Sequence, residues 1–245
     1  MEAPREDSPA RREELKRWAQ QQVLLNRRER RAPKAPRHPR AAEQALDRLA
    51  DRLFDRGLDT AGREFLYDHT RDDRVAYVAS PWHLLPRALR HIHLSERDTF
   101  VDFGCGKGRV VHQAARRWPF RRVIGVEVSP KLAEIARTAL AARAHRHRCK
   151  NVEIVAADVR EFQVPDDLTV GYFFRPFGEE TLNPLLRDII ESIDRNPRRV
   201  WLIYVWPKDR SLAAILDSDR FRIVKELPSS LIDRDSDPVV IFESC

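Results

Sequence analysis

The sequence predicts an α/β fold: a seven-strand, mostly parallel sheet with helices on both faces, preceded by an N-terminal helical extension. Three observations predict it. From residue 99 onward, short apolar runs alternate with segments of helical period, which favours a parallel sheet with right-handed crossovers. The run Arg199–Val205 is nearly all apolar, as befits a strand covered on both faces. Three glycines at alternate positions sit where the first run turns into a helix.

The expected elements follow in order. Thr99–Phe103 is the first strand and Arg109–Trp118 its helix. Arg122–Val126 is the second strand, followed by an Ala- and Leu-rich helix over Ser129–Ala144, with Ser129 as cap and Pro130 in the first turn. Val152–Val155 and Leu168–Phe174 are the third and fourth strands. A helix then runs from about Glu179 to Asp194, and Arg199–Val205 is the fifth strand. A short helix near Ser211–Leu216 precedes strands at Phe221–Lys225 and Pro238–Phe242. These close the sheet in a hairpin-like way around a Pro-, Ser- and Asp-rich loop, Leu227–Asp237.

Upstream, Ala45, Leu46, Leu49, Leu53 and Phe54 recur at helical spacing and end near Gly57. A second helix is expected over Trp82–His91, with Ser80 as its cap and Pro81 first. The chain thus divides into an arm (1–40), a helical segment (41–96) and a main domain (97–245). The arm begins with a short helix, Arg11–Leu25. In the Pro- and Arg-rich run Arg30–Arg40, Pro33, Pro36 and Pro39 forbid a regular helix.

Charge is concentrated in that arm. Residues 1–40 carry twelve Lys or Arg against six Asp or Glu, a surplus of six out of the chain's formal net charge of +7. A solvated tail explains this; so does a phosphate-contacting segment, which makes nucleic acid a candidate partner. No run approaches about 18 uncharged apolar residues, and Met1–Ala10 has no secretory apolar stretch, so no membrane partner and a cytoplasmic location are expected. Cys105, Cys149 and Cys245 form no CxxC pair, so reduced thiols without a metal site are expected. The cluster Arg143–Lys150 ends a helix, where cations complement the carbonyl end.

The chemistry concentrates in Asp102-Phe103-Gly104-Cys105-Gly106-Lys107-Gly108-Arg109. Glycines there permit a sharp turn and close backbone approach to a ligand. A dinucleotide fingerprint would place its third glycine where Arg109 stands, and a phosphate loop lacks its frame. The residues suit a ligand with a carboxylate, an amino group and a ribose. Asp102 would take the ammonium, and loop N–H groups the carboxylate. Glu127 ends the second strand 19 residues past Gly108, where a carboxylate can accept both ribose hydroxyls. Asp158, after the third strand, can accept from an adenine amino group, or cap a turn at Val159–Phe162.

With these residues in place, Tyr77–Trp206 resembles a class I (seven-strand, Rossmann-like) methyltransferase dependent on S-adenosylmethionine (SAM). It is similar to bacterial members whose first motif reads D-x-G-C/S-G-K-G-R. The resemblance implies SAM as cofactor, with Asp102, Gly104, Cys105, Gly106 and Gly108 at its methionine part. It implies Glu127 and Val128 at the ribose, and Asp158 and Val159 at the adenine. Tyr77-Val78-Ala79-Ser80-Pro81 resembles a Y-x-P-[ST]-P stretch that covers the cofactor, which adds Tyr77 and Ser80. Phe173 joins the cofactor set, although packing in the core also accounts for it.

The fourth-strand segment Tyr172-Phe173-Phe174-Arg175-Pro176-Phe177-Gly178 departs from the Y-x-[YF]-N-P-F pattern of those relatives. Arg175 has no acceptor capacity, which disfavours a nucleobase amine as methyl acceptor. It can pair with an anionic substrate, or with Glu179 or Glu180 as scaffold. Arg175 and Phe177 are the substrate-side candidates. The acceptor is unidentified, with a small molecule or protein side chain favoured. No catalytic residue is named, because nothing ranks Tyr77, Tyr172, Tyr204, His83, His91 and His93 as bases. Two alternatives stand beside this reading: a non-catalytic SAM-binding or nucleic-acid-associated protein using the arm, and an NAD(P)-linked oxidoreductase.

Overall fold

A computed structural model describes residues 41–56, 58–64, 77–233 and 236–245. The chain divides into two compact units, Met1–Ala41 and Ala42–Cys245, and the described residues after Ala41 belong to the second. The expected helix at Arg11–Leu25, the Pro-rich run and the helix end at Gly57 lie outside the described residues.

In chain order the elements are α1 (Ala41–Phe54), β1 (Arg63–Glu64), β2 (Tyr77–Val78), α2 (Leu84–Leu89), β3 (Thr99–Phe103), α3 (Arg109–Arg117), β4 (Arg122–Glu127), α4 (Pro130–Arg143), β5 (Val152–Ala156), β6 (Leu168–Phe174), α5 (Glu179–Arg195), β7 (Trp201–Val205), α6 (Asp209–Asp217), β8 (Phe221–Pro228) and β9 (Pro238–Ser244). The large sheet has seven strands in the order β5-β4-β3-β6-β7-β9-β8. β3 through β7 pair in parallel, and β9 runs antiparallel to both β7 and β8. β1 and β2 form a separate antiparallel pair upstream, in the segment expected to be purely helical.

The central strands are buried on both faces because apolar side chains predominate along them. Phe100, Val123, Ile203 and Val205 pack with the helices α2, α3 and α4. Their neighbours Val101, Ile124, Leu202 and Tyr204 pack with α5 and α6. The period of two places alternate residues on opposite faces. α4 turns Leu132, Ala133, Ala136, Ala139 and Leu140 inward, and its first turn is closed by Ser129, whose Oγ accepts from Leu132 N at 3.4 Å.

One local expectation is corrected. The helix expected over Trp82–His91 begins at Leu84, and Ser80 does not cap it. A turn in which Leu84 N donates to Pro81 O comes first, while Ser80 Oγ lies 3.0 Å from the Tyr172 hydroxyl. The two closing strands pair antiparallel, as the hairpin-like end predicted, with β9 lying between β7 and β8.

Behind the sheet, His112 on α3 meets His147, with Nδ1 and Nε2 3.0 Å apart and both rings buried. One nitrogen must donate and the other accept, so the pair tolerates no second proton. Burial, the His147 ring and the cations Arg116, Arg143 and Arg146 push His112 down to about 4. Burial, Lys150 and His145 also lower His147. An unfolded histidine titrates near ~6.5, so between 6.5 and 4 the unfolded chain takes up protons that the folded one refuses. Stability is therefore full above pH 6.5 and falls as the pH drops through this window, by roughly 3.5 kcal/mol for His112 over about 2.5 pH units at about 1.4 kcal/mol each. Denaturant titrations at pH 7, 6 and 5 should show this loss, and His112→Gln should flatten it.

Candidate functional site

The three alternate glycines are explained by backbone conformation. Gly104, Gly106 and Gly108 all take positive φ, at 83°, 55° and 77°. Most of the close approach they permit is made by this chain's own side chains. A Cβ on Gly104 would lie 2.5 Å from Pro176 Cβ, and one on Gly106 would lie 2.2 Å from the Tyr77 ring. Gly108 is the N-cap of α3 and sits against Ala136 of α4, 3.0 Å from a built Cβ. Cys105 is buried, and its Sγ occupies the space a side chain on Gly125 would need, 2.7 Å from that Cβ. Burial and the carboxylates Asp102 and Glu127 push its thiol well up, which suits packing rather than nucleophilic chemistry.

Beside this loop opens a cavity of about 310 Å³, at the small end of the roughly 300–1,000 Å³ common for ligand sites. It lies at the carboxyl ends of the parallel strands, around the β3–β6 boundary where strand order reverses. Tyr77, Ser80, Asp102, Gly104, Cys105, Gly106, Glu127, Val128, Asp158, Val159, Arg175 and Phe177 all line it. Gly108 and Phe173 do not. Phe173 is stacked in the core between Phe103 and Tyr204, at 4.9 and 5.3 Å, and the adjacent Phe174 faces the cavity instead. Side chains alternate along β6, so a shift of one residue exchanges wall for core.

The three acids differ in what they already hold. Asp102 is buried, and no side chain or backbone group among the described residues donates to it; burial and the neighbouring Glu127 push its carboxyl well above the usual range. Glu127 is bound at both oxygens: Oε2 accepts from Gly106 N and Oε1 from Ser129 N, each at 2.8 Å. It ties the glycine loop to the tip of β4 and lines the cavity. Asp158 accepts from Arg160 N and Nε at 3.0 Å and from its NH2 at 2.7 Å, closing the turn that follows β5.

Arg109 is the residue whose role sequence reasoning missed, having been noted only as the break in a glycine pattern. It is buried at the start of α3. Nε donates to Thr60 Oγ1 at 3.0 Å and NH1 to Ser80 O at 3.2 Å. NH2 lies 2.9 Å from Asp51 and 3.6 Å from Asp55, and the guanidinium covers the Trp82 ring at 4.9 Å. Tyr77 hydroxyl donates to Thr60 O in the same cluster. The clamp holds the upstream segment, and with it Tyr77 and Ser80, over the loop. No local periodicity signals it, because its partners lie 27 to 58 residues away.

Of the base candidates only Tyr77 reaches the cavity. His83 Nε2 lies 2.8 Å from Ser229 O, Tyr204 is in the core, and His91 and His93 are exposed. Thr181, Pro176 and Trp206 complete the wall that the sequence did not indicate.

Residues 100–194 match a protein family described as "Methyltransferase domain". A protein-lysine N-methyltransferase from Saccharolobus islandicus is 28% identical over 141 residues, 55% of this chain and 83% of that protein. A trans-aconitate 2-methyltransferase from Enterobacter is 36% identical over 75 residues, 31% of this chain, so the chain spans only 26% of that relative's length. Among solved structures, an RNA methyltransferase from Salinibacter ruber in complex with S-adenosyl-L-homocysteine is similar, with 22% identity, 67% of this chain and 92% of that one covered, and a TM-score of 0.48. The residues similar to a methyltransferase domain run from β3 into α5, within the seven-strand α/β sheet.

Arg109→Met should leave Asp51 and Asp55 facing an apolar side chain and lower stability by on the order of 3 kcal/mol. Arg109→Lys keeps the charge but not the fork and should fall between. Thermal unfolding of both variants against the parent checks this order.

Proposed function

We propose that this chain is a SAM-dependent methyltransferase, with the glycine loop, Glu127 and Asp158 forming the cofactor half of the cavity. The observation that carries this reading is Asp102. A buried carboxylate with no donor beside it, at the wall of a cavity, is costly until a cation arrives. The ammonium of the SAM methionine part is such a cation. The loop motif, similar to D-x-G-C/S-G-K-G-R, and an acid at the tip of β4 fit the same ligand. Glu127 lines the cavity at the tip of β4, where a carboxylate can accept ribose hydroxyls, and its bonds to Gly106 and Ser129 hold the loop. Asp158, fixed by Arg160, and Val159 supply a polar and an apolar contact for an adenine.

Bound SAM supplies an electrophilic methyl group on a sulfonium. The chain's part is then to orient the acceptor, exclude water and present aromatic faces. Tyr77 across Gly106, with Phe174 and Phe177 on the far wall, is placed for the last two tasks. The relatives act on different acceptors, so none is carried over; a small molecule or protein side chain remains the favoured class, in the cytoplasm.

Calorimetry should show SAM binding and no NAD binding; NAD binding without SAM would overturn the reading. Asp102→Asn, nearly isosteric, should weaken SAM at least ten-fold, the loss of one charge-assisted contact worth roughly 1.5–3 kcal/mol, with unfolding unchanged or shifted upward in temperature.

A further inference from the structure

The cavity is divided by charge. Its three carboxylates, Asp102, Glu127 and Asp158, come from β3, β4 and the turn after β5. Across the β3–β6 boundary, the tips of β6 and β7 supply Arg175 and Trp206. These two residues share an unusual backbone, with φ of 42° and 53°. A side-chain-bearing residue at positive φ is strained, and such strain clusters at ligand sites.

Both residues are also donors without acceptors. Arg175 makes no hydrogen bond or ion pair among the described residues. Among the described residues it pairs with neither scaffold candidate: Glu179 faces Arg210 at 3.9 Å, and no ion pair joins Arg175 to Glu180. The indole N–H of Trp206 is buried and has no acceptor among the described residues. The other arginine in the lining, Arg109, is committed to Asp51, Asp55, Thr60 and Ser80. The acceptor half therefore offers one uncommitted guanidinium beside an otherwise apolar wall of Phe174, Pro176 and Phe177.

The three carboxylates of the lining lie on the β3, β4 and β5 side, and the half around Arg175 holds no group suited to take a proton. The lining contains no histidine or lysine among the described residues. Burial pushes the Tyr77 hydroxyl and the Cys105 thiol up, toward their protonated forms. An amine or hydroxyl acceptor must lose a proton to react, whereas a carboxylate is already ionised at neutral pH.

Resting on the SAM reading above, we propose that the methyl acceptor is a carboxylate, held by the guanidinium of Arg175 and methylated on oxygen. The fork of Arg175 occupies lone pairs on one edge of the carboxylate and leaves others for attack. A carboxylate oxygen forms the new bond to the methyl carbon, the carbon–sulfur bond breaks, and its electron pair returns to sulfur. The products are a neutral methyl ester and S-adenosylhomocysteine, with no proton transferred. Loss of the acceptor's charge also releases the product from Arg175.

The test incubates the full chain with methyl-labelled SAM and the metabolite, protein and nucleic-acid fractions of a cell extract, then treats each product with mild alkali. Label released as volatile methanol is expected, in the metabolite fraction for a free acid or the protein fraction for a side-chain or terminal carboxyl. Arg175→Asn should cut transfer at limiting extract at least ten-fold, and Arg175→Lys should restore part of it. SAM affinity by calorimetry should stay within two-fold in both. Asn accepts positive φ more readily than Arg, so this variant keeps the backbone. Alkali-stable label in any fraction, or transfer by Arg175→Asn equal to the parent, overturns the proposal while leaving the cofactor reading intact. SAM binding with no transfer overturns it together with the enzymatic reading, and absence of SAM binding to the parent defeats the cofactor reading itself.

Discussion

Burying a permanent cation is among the most expensive things a fold can do, and the arrangement around Arg109 shows what makes it tolerable here. Two carboxylates, a hydroxyl, a carbonyl and an indole face converge on one guanidinium. Asp51 comes from α1, Asp55 and Thr60 from the turn after it, Ser80 from the segment after β2, and Arg109 from the first residue of α3. Tyr77 depends on this cluster, since its hydroxyl bonds to Thr60 and its ring lies across Gly106. The cavity wall built from residues 77–80 is thus an indirect product of charge neutralisation beneath it. Without Arg109, the upstream segment would have two carboxylates to solvate and would be held by Ser80 on Tyr172 and the Tyr77 ring on Gly106.

The same cluster marks where the sequence stops being legible. The central strands could be read because parallel strands covered on both faces are predominantly apolar, and that signature is local. Ser129 and Pro130 announced α4 for the same reason: a cap bonds within three residues. Ser80 and Pro81 carried an identical local pattern and misled, because Ser80 faces Tyr172, 92 residues away, and a turn delays the helix to Leu84. Phe173 and Phe174 are indistinguishable by composition. Only the register of β6 against β3 and β7 decides which faces the cavity. Gly108 was legible as a required glycine but not for its reason, contact with Ala136 on another helix.

The glycine loop serves two masters. Its positive φ values leave backbone N–H groups exposed at Gly106, and Glu127 takes that one before any ligand does. The carboxylate at the tip of β4 therefore shapes the loop as well as lining the cavity. Asp102 has no such prior engagement. Neighbouring acids on adjacent strands thus divide the labour: one preorganises, the other waits for charge.

The insertion of β9 between β7 and β8 has a consequence for the order of assembly during synthesis. β7 exposes a bare hydrogen-bonding edge until Pro238–Ser244 has left the ribosome, although β8, made earlier, already exists. Pairing of β8 directly with β7 would be a tempting error, and an uncovered apolar edge invites association between nascent chains. Arg222, Lys225 and Glu226 on β8 make that strand a poor occupant of the interior position that Val239, Val240, Ile241 and Phe242 take. Charge on the early strand thus reserves the central berth for the late one.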